Sequence, residues 1–342
     1  MRTNWDVAGA FFIGFIVAYC FTPFARMVAF RLGFLDRPEK KNAHLKATPL
    51  LGGVVIYIAF LAAVLFSVQI DRTMAGVIIG ATMLLVTGLV DDRFGMMPQL
   101  KLCVQILAAL TVFKFGLAVT TIEDYYLSMF FTVFWIVGIT NAFNLLDNLN
   151  GLSSGIAAIS SVFFAVIAFS NGYYLAAAVS AAIAGSCTGF IKYNFPKASI
   201  FMGDSGSLVV GFILACVAII GSWETEKVSL SLSIPVVILG YAIFDTTLVT
   251  VIRIREKRSI FQGGTDHSSH ILAFSGLKKR RAVLLIFTIC VFLGLSSLCI
   301  KYGSVRAGRA SLALTAVFMA LLGLRLLYLR GKMVRMRNAR KR

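Results

Sequence analysis

A chain of 342 residues that is 58% hydrophobic and 14% charged carries far less charge than the roughly 25% of a soluble domain, so a water-soluble globular protein is excluded. Its net charge of +18 sits in short loops and at the carboxyl end without interleaved aromatics, which excludes nucleic acid as a partner and suits loops resting on anionic headgroups. The six cysteines, Cys20, Cys103, Cys187, Cys216, Cys290 and Cys299, lie inside apolar runs with no Cys-x-x-Cys spacing and read as packing residues.

Taken in chain order, apolar runs near 7–30, 50–70, 73–90, 99–119, 126–146, 152–170, 172–191, 206–222, 229–252, 282–300 and 309–329 predict about eleven transmembrane helices, ten at the lower count, each near the roughly 20 residues that cross a hydrocarbon core. They are too long and too unalternating for barrel strands. The expected fold is all-α: a polytopic membrane helix bundle forming one integral-membrane domain over 1–342, with a basic cytoplasmic tail at 330–342. The first run exceeds a signal-peptide apolar region and has no small-residue cleavage site before Arg26, so it is expected to be retained. With the amino terminus outside, the inner loops and tail hold 24 Lys and Arg and the outer side six, which places the carboxyl terminus in the cytoplasm.

On this topology the carboxylates Asp91, Asp92, Asp147, Asp204 and Asp266 all fall on connections of the cytoplasmic side of the inner membrane. The segments Asp91-Asp92-Arg93-Phe94-Gly95, 144–151 (NLLDNLNG) and 203–207 (GDSGS) precede the fourth, sixth and eighth runs, whose helix amino termini carry unpaired N–H groups and the positive dipole end. Any one segment reads more readily as a helix cap, worth about 1 kcal/mol. Recurrence on one face, together with the adjacent like charges of Asp91 and Asp92, points instead to a shared cation. Oxygen donors without a Cys or His cluster favour Mg²⁺, with Mn²⁺ as the alternative, and the implied substrate is a diphosphate.

The stretches LDRPEKKNAHLKATPLLGG (35–53), LVDDRFG (89–95), NAFNLLDNLNGLSSG (141–155), IFMGDSGSLVVG (200–211) and GGTDHSSHIL (263–272) resemble, in order and spacing, the polyprenyl-phosphate N-acetylhexosamine-1-phosphate transferases over about residues 10–300. The resemblance implies an enzyme that takes a UDP-N-acetylhexosamine, UDP-GlcNAc in the favoured reading, and a polyprenyl phosphate such as undecaprenyl phosphate. It releases UMP and leaves a polyprenyl-diphosphate-linked sugar, the first lipid-linked step of a cell-envelope glycan. Asp204 then matches a magnesium ligand, with Asp92 beside it. Asp91 and Asp92 match the family's catalytic acidic pair, and His267 and His270 its catalytic histidines, which bind phosphate oxygens or stabilise the leaving group and are able to take up a proton near phosphate. Asn144 and Asp147 match nucleotide and diphosphate contacts, and Phe201 a residue that stacks on uracil, with membrane packing as its equal alternative. Asp36, His44 and Lys46 match a loop that closes over the nucleotide. Arg253 is a candidate phosphate contact, and Asp245 has no role yet.

The chain departs from the family at Asn148, Asn150 and Ser269, where relatives often carry Gly, Asp and His. The loss of a contiguous histidine cluster favours a simple UDP-N-acetylhexosamine over the muramoyl-pentapeptide donor. Alternatives are a transporter for an anionic solute and a catalytically silent relative. A homodimer is the one protein partner left open.

Overall fold

The computed structural model describes residues 4–36, 47–221, 223, 228–259 and 264–339; His44 and Lys46 lie outside the described residues. The chain divides into two compact units, Met1–Ser222 and Trp223–Arg342. The first contains α1 (Asn4–Leu32), the two-residue strands β1 (Leu35–Asp36) and β2 (Thr48–Pro49), then α2 (Gly52–Ser67), α3 (Arg72–Phe94), α4 (Pro98–Lys114), α5 (Tyr125–Leu146), α6 (Leu152–Ser170), α7 (Tyr174–Asn194) and α8 (Gly203–Ile220). The second contains α9 (Val228–Ile238), α10 (Gly240–Arg255), α11 (Ser268–Phe274), α12 (Lys279–Tyr302) and α13 (Val305–Ala339). The strands pair antiparallel, Leu35 opposite Pro49 and Asp36 opposite Thr48.

Every expected run is helical. Among the described residues eight helices are long and apolar enough to cross a membrane, or nine if the bent pair α9–α10 is one span; α2 is apolar but only 16 residues long, and α4 has 17. The expected straight run at 229–252 is broken by 73° between Ile238 and Gly240. Pro235 sits one turn upstream; proline removes a backbone donor and glycine relaxes the backbone, so a bend falls there. From 330 to 339 the expected tail continues α13 as helix, to Ala339, about 52 Å in all.

Hydroxyls inside these helices would be costly in hydrocarbon without partners. Many are satisfied by the preceding turn: Thr22 donates to Ala18 O (2.5 Å), Thr140 to Ile136 O (2.6 Å) and Ser180 to Ala176 O (2.6 Å). Helix association cannot rely on the hydrophobic effect within lipid and depends on close packing at small residues. On α7 the pair Gly185 and Gly189 lets α1 approach so closely that added Cβ atoms would lie 2.0 Å from Phe11 O and 2.4 Å from Phe15 O.

The same device locates the start of α8. A Cβ at Gly53 of α2 would lie 2.2 Å from Gly206 N, and one at Gly88 of α3 would lie 2.3 Å from Ser205 Cα. Two helices therefore press their backbones against the first turn of a third. Replacing Gly88 with Val should destabilise the detergent-solubilised protein by about 1–3 kcal/mol, read as a lowered thermal midpoint. Gly138→Ala, at a position with nothing within 4 Å, should leave the midpoint unchanged; equal effects would refute this account of the packing.

Candidate active site

α3 ends in Asp91 and Asp92, one turn before Gly95, whose φ of 72° lets the chain reverse. Met96 N then donates to Asp91 Oδ1 (2.6 Å), and Pro98 opens α4 at its first position. This short return places Lys101 in the first turn of α4, facing back across the connection. Its Nζ pairs with Asp91 Oδ2 and lies 2.5 Å from Asp204 Oδ2.

Asp204 stands in the first turn of α8. Its Oδ1 accepts from Asn144 Nδ2 (3.0 Å), and the same nitrogen lies 3.0 Å from Ser207 Oγ. Asn144 is in the last turn of α5, so four helix ends meet here, those of α3, α4, α5 and α8. The residue preceding α8, Met202, has no capping side chain. Asp92 takes that role from another helix: its Oδ1 accepts from Asp204 N (2.8 Å) and its Oδ2 from Ser205 N (3.2 Å), a carboxylate at the positive end of the helix dipole. Gly203, at φ 71°, is required, because a Cβ would lie 2.5 Å from Asp92 Oδ2. Gly203 is thus explained by a neighbour more than a hundred residues away.

Asp147 caps the carboxyl end of α5 and is half-buried. Burial, then the charges of Asp204 and Asp92, push its pKa up to about 8, so it keeps its proton at neutral pH. One ammonium stands against four carboxyl groups here, and this retained proton relieves part of the imbalance. Among the described residues no three Asp, Glu, His or Cys side chains are close enough to enclose a metal ion; a cation here would need ligands from its substrate.

In the second unit Asp245, fully buried in α10, accepts from Ser268 N (2.8 Å) and from Ser268 Oγ, and its Oδ2 lies 2.8 Å from His267 Nδ1. Tyr241 Oη lies 2.7 Å from Ser268 Oγ. His267 and His270 stand with ring centroids 6.2 Å apart. Burial, then His267 and Lys279, lower the His270 pKa. Arg253 is 2% exposed, with Nε 3.4 Å from Asp266 Oδ2. Burial works against the charge of Asp266, but the bond from Arg258 and the charges of Arg330 and Arg258 outweigh it and hold its pKa below the ordinary range.

The structure therefore gathers Asp91, Asp92, Asn144, Asp147 and Asp204 at one end of the first unit, and His267, His270 and Arg253 in the second. Phe201 is fixed by its backbone, donating to Pro49 O (2.8 Å) and accepting from Gly52 N (3.0 Å), with its ring half-buried. Asp36 lies half-buried on β1. Asn148 and Asn150 donate to Leu145 O (2.9 Å) and Pro196 O (3.4 Å), so both departures tie off local backbone. Sequence reasoning missed Lys101, counted there only as loop charge. Its signal was a lysine one turn into the helix that follows an acidic pair. Asp245 was noticed but not assigned, although a carboxylate in the middle of an apolar helix demands a partner.

Oxygen donors and a lysine thus meet at the shared ends of apolar helices long enough, in most cases, to cross a membrane. Residues 74–222 match glycosyl transferase family 4. The chain is 32% identical over 323 residues, 92% of its length and 90% of the relative's, to a probable undecaprenyl-phosphate N-acetylglucosaminyl 1-phosphate transferase of Bacillus subtilis. It is 31% identical over 312 residues (80% and 76%) to a decaprenyl-phosphate N-acetylglucosaminephosphotransferase of Mycolicibacterium smegmatis, and 31% identical over 312 residues (82% and 91%) to a phospho-N-acetylmuramoyl-pentapeptide-transferase of Halalkalibacterium halodurans. The chain belongs to the polyprenyl-phosphate N-acetylhexosamine-1-phosphate transferase family, and it is a membrane-embedded sugar-phosphate transferase.

The folded protein holds the Asp147 proton up to about pH 8, whereas an unfolded chain releases it near 3.8. Stability from this group is therefore lost as pH rises between those values. Relative to Asp147→Asn, which mimics the protonated form, the wild-type thermal midpoint should fall as pH is raised from about 5 to about 8. A difference between the two proteins that stays constant over this range would refute the raised pKa.

Proposed function

We propose that the protein transfers N-acetylglucosamine 1-phosphate from UDP-GlcNAc to a polyprenyl phosphate, undecaprenyl phosphate in the first instance, at the cytoplasmic face of the membrane. The products are UMP and a polyprenyl-diphosphate-linked sugar that begins a cell-envelope glycan. The observation that carries this reading is the single Lys101 ammonium shared by Asp91 and Asp204, with Asn144 on the other side of Asp204. The excess of Lys and Arg on one side supports an external amino terminus and a cytosolic position for this cluster. It also supports counting α2 and α4 as short spans, which gives eleven.

The donor set fits Mg²⁺, which commonly takes one or two carboxylates and completes its shell with substrate phosphate and water. Asp204, with Asp91 beside it, would hold the ion, and Asp92, whose oxygens cap α8, would orient Asp204. When bound, Mg²⁺ supplies charge neutralisation at the transferring phosphoryl group. Lys101 can pass from carboxylate to phosphate oxygen without leaving its helix, a positioned cation of the kind phosphoryl transfer requires. A phosphate monoester with a second pKa near 6 is already largely ionised at neutral pH, so Asp91 serves better in orienting Lys101 than as a base. Asn144, Asp147 and Phe201, with Asp36, His44 and Lys46, are the proposed nucleotide contacts. His267 and His270, with Arg253 behind them, are the proposed phosphate contacts of the second unit.

A groove of about 510 Å³, lined by Ile78, Ile79, Thr82, Met83, Val86 and Val104, supports an apolar acceptor. Val86 lies five residues before Asp91 and Val104 three after Lys101, so the groove starts about one to two helical turns from the charged cluster. The muramoyl-pentapeptide donor is the second reading, favoured by the Halalkalibacterium halodurans relative and disfavoured by Ser269.

Purified protein given undecaprenyl phosphate, Mg²⁺ and a panel of UDP-sugars should form lipid-linked GlcNAc phosphate, seen by mass spectrometry, with UMP release that requires the lipid and stops on chelation. Asp204→Asn and Lys101→Ala should each lower kcat by about 100-fold or more. Wild-type product formation by either variant would remove the centre described here, and product formed only from the muramoyl-pentapeptide donor would replace the sugar.

A further inference from the structure

The basic stretch at the end of α13 is expected to lie against lipid headgroups, yet its first arginine turns into the protein. Arg330 Nη2 lies 2.8 Å from Asp266 Oδ1 and 3.1 Å from Glu256 Oε2, and its Nε donates to Glu256 Oε1 at 3.0 Å. The side chain is only 12% exposed. Asp266, the residue before His267, is buried beneath it, and receives Arg258 Nη2 at 2.9 Å and Arg253 Nε at 3.4 Å as well.

Three features show that this carboxylate is held in one place. Its partners come from separate elements: Arg253 from α10, Arg258 from the turn after it, and Arg330 from α13. Lys257, between Glu256 and Arg258, adopts φ 52°, a left-handed conformation uncommon for a residue with a side chain, where the chain brings Arg258 to Asp266 and Glu256 to Arg330. Gly264 leaves no space on the remaining side, since a Cβ there would lie 2.7 Å from Asp266 Oδ2. Beyond Asp266 the chain enters α11, seven residues long, too short to order itself. The conformation of His267 and His270 must be imposed from outside. Asp245 does so at Nδ1 of His267, and the arginines do so one residue earlier.

We propose that Arg330 is a positioning residue: through Asp266 the end of α13 sets the placement of the His267–His270 pair, so the last helix is part of the functional apparatus and not only a membrane anchor. Guanidinium suits the task because its planar fork reaches Asp266 and Glu256 together, which a single ammonium cannot do in the same geometry.

The test uses the full-length protein in lipid nanodiscs, and its kinetic arm rests on the activity proposed above. In Arg330→Gln, backbone hydrogen exchange across 266–272 should rise about tenfold, with exchange in the middle of α12 unchanged. Turnover should fall by about 10- to 100-fold while KM for the UDP-sugar stays within about threefold. Arg330→Lys should recover only part of the rate. The double variant Arg330→Gln, Asp266→Asn should be no slower than the slower single one, as expected for residues acting through one contact. Arg335→Gln, at an exposed position on the same helix, should stay within about twofold of wild type. Unchanged exchange in Arg330→Gln, additive losses in the double variant, or full recovery with lysine would overturn the proposal. A wild-type protein inactive on every UDP-sugar would refute the proposed function alone, leaving the exchange measurement to decide the role of Arg330.

Discussion

The first turn of α8 is the point on which the rest of the first unit depends. Gly53 and Gly88 admit two helix backbones against it, and Gly203 leaves space for the Asp92 carboxylate. That carboxylate then satisfies two backbone N–H groups at the start of the helix, which would otherwise be orphaned where water is scarce. The arrangement links packing to electrostatics. Small residues bring the backbones close, and the close approach lets an acid of one helix cap another, which holds Asp204 within reach of Lys101 and Asn144.

Among the described residues, buried charge is grouped with partners. In the first unit Lys101 is shared by two carboxylates, and Asp147 keeps its proton. In the second, Asp266 and Glu256 meet three arginines, and Asp245 accepts from Ser268. The two solutions differ in kind. The first leaves an excess of carboxyl groups over cations, an arrangement that favours uptake of further positive charge. The second has an excess of arginines around its carboxylates and suits the holding of a loop. A buried ion cluster of the second kind is weak evidence for stability but good evidence for a defined geometry, because breaking it strands a charge.

Much of this was legible from residues. The apolar runs gave the helices, since no other element satisfies its own backbone at that length in lipid. The recurrence of Asp91, Asp92, Asn144, Asp147 and Asp204 at the ends of runs gave their convergence. Lys101 was legible only as charge, because its partners depend on how Gly95 and Pro98 turn the chain between α3 and α4. Asp245 and Arg330 were harder still: one lay inside a run and the other at the head of a basic tail, and both find their partners across helix contacts that carry no periodic signal. The bend after Pro235 could be suspected from that proline, but its angle depends on packing.

Composition, run length and motif spacing by themselves determined a polytopic helical membrane protein whose carboxylates gather at shared helix ends, because hydrocarbon admits few backbone solutions and isolated carboxylates there are costly. Only the tertiary structure decided which acid does what. Asp92 caps α8, Asp91 and Asp204 share Lys101, and Asp266 answers to the last helix. A side chain's role depends on the donors within about 3 Å of its oxygens, and in this fold those donors arrive from residues 5 to more than 100 positions away.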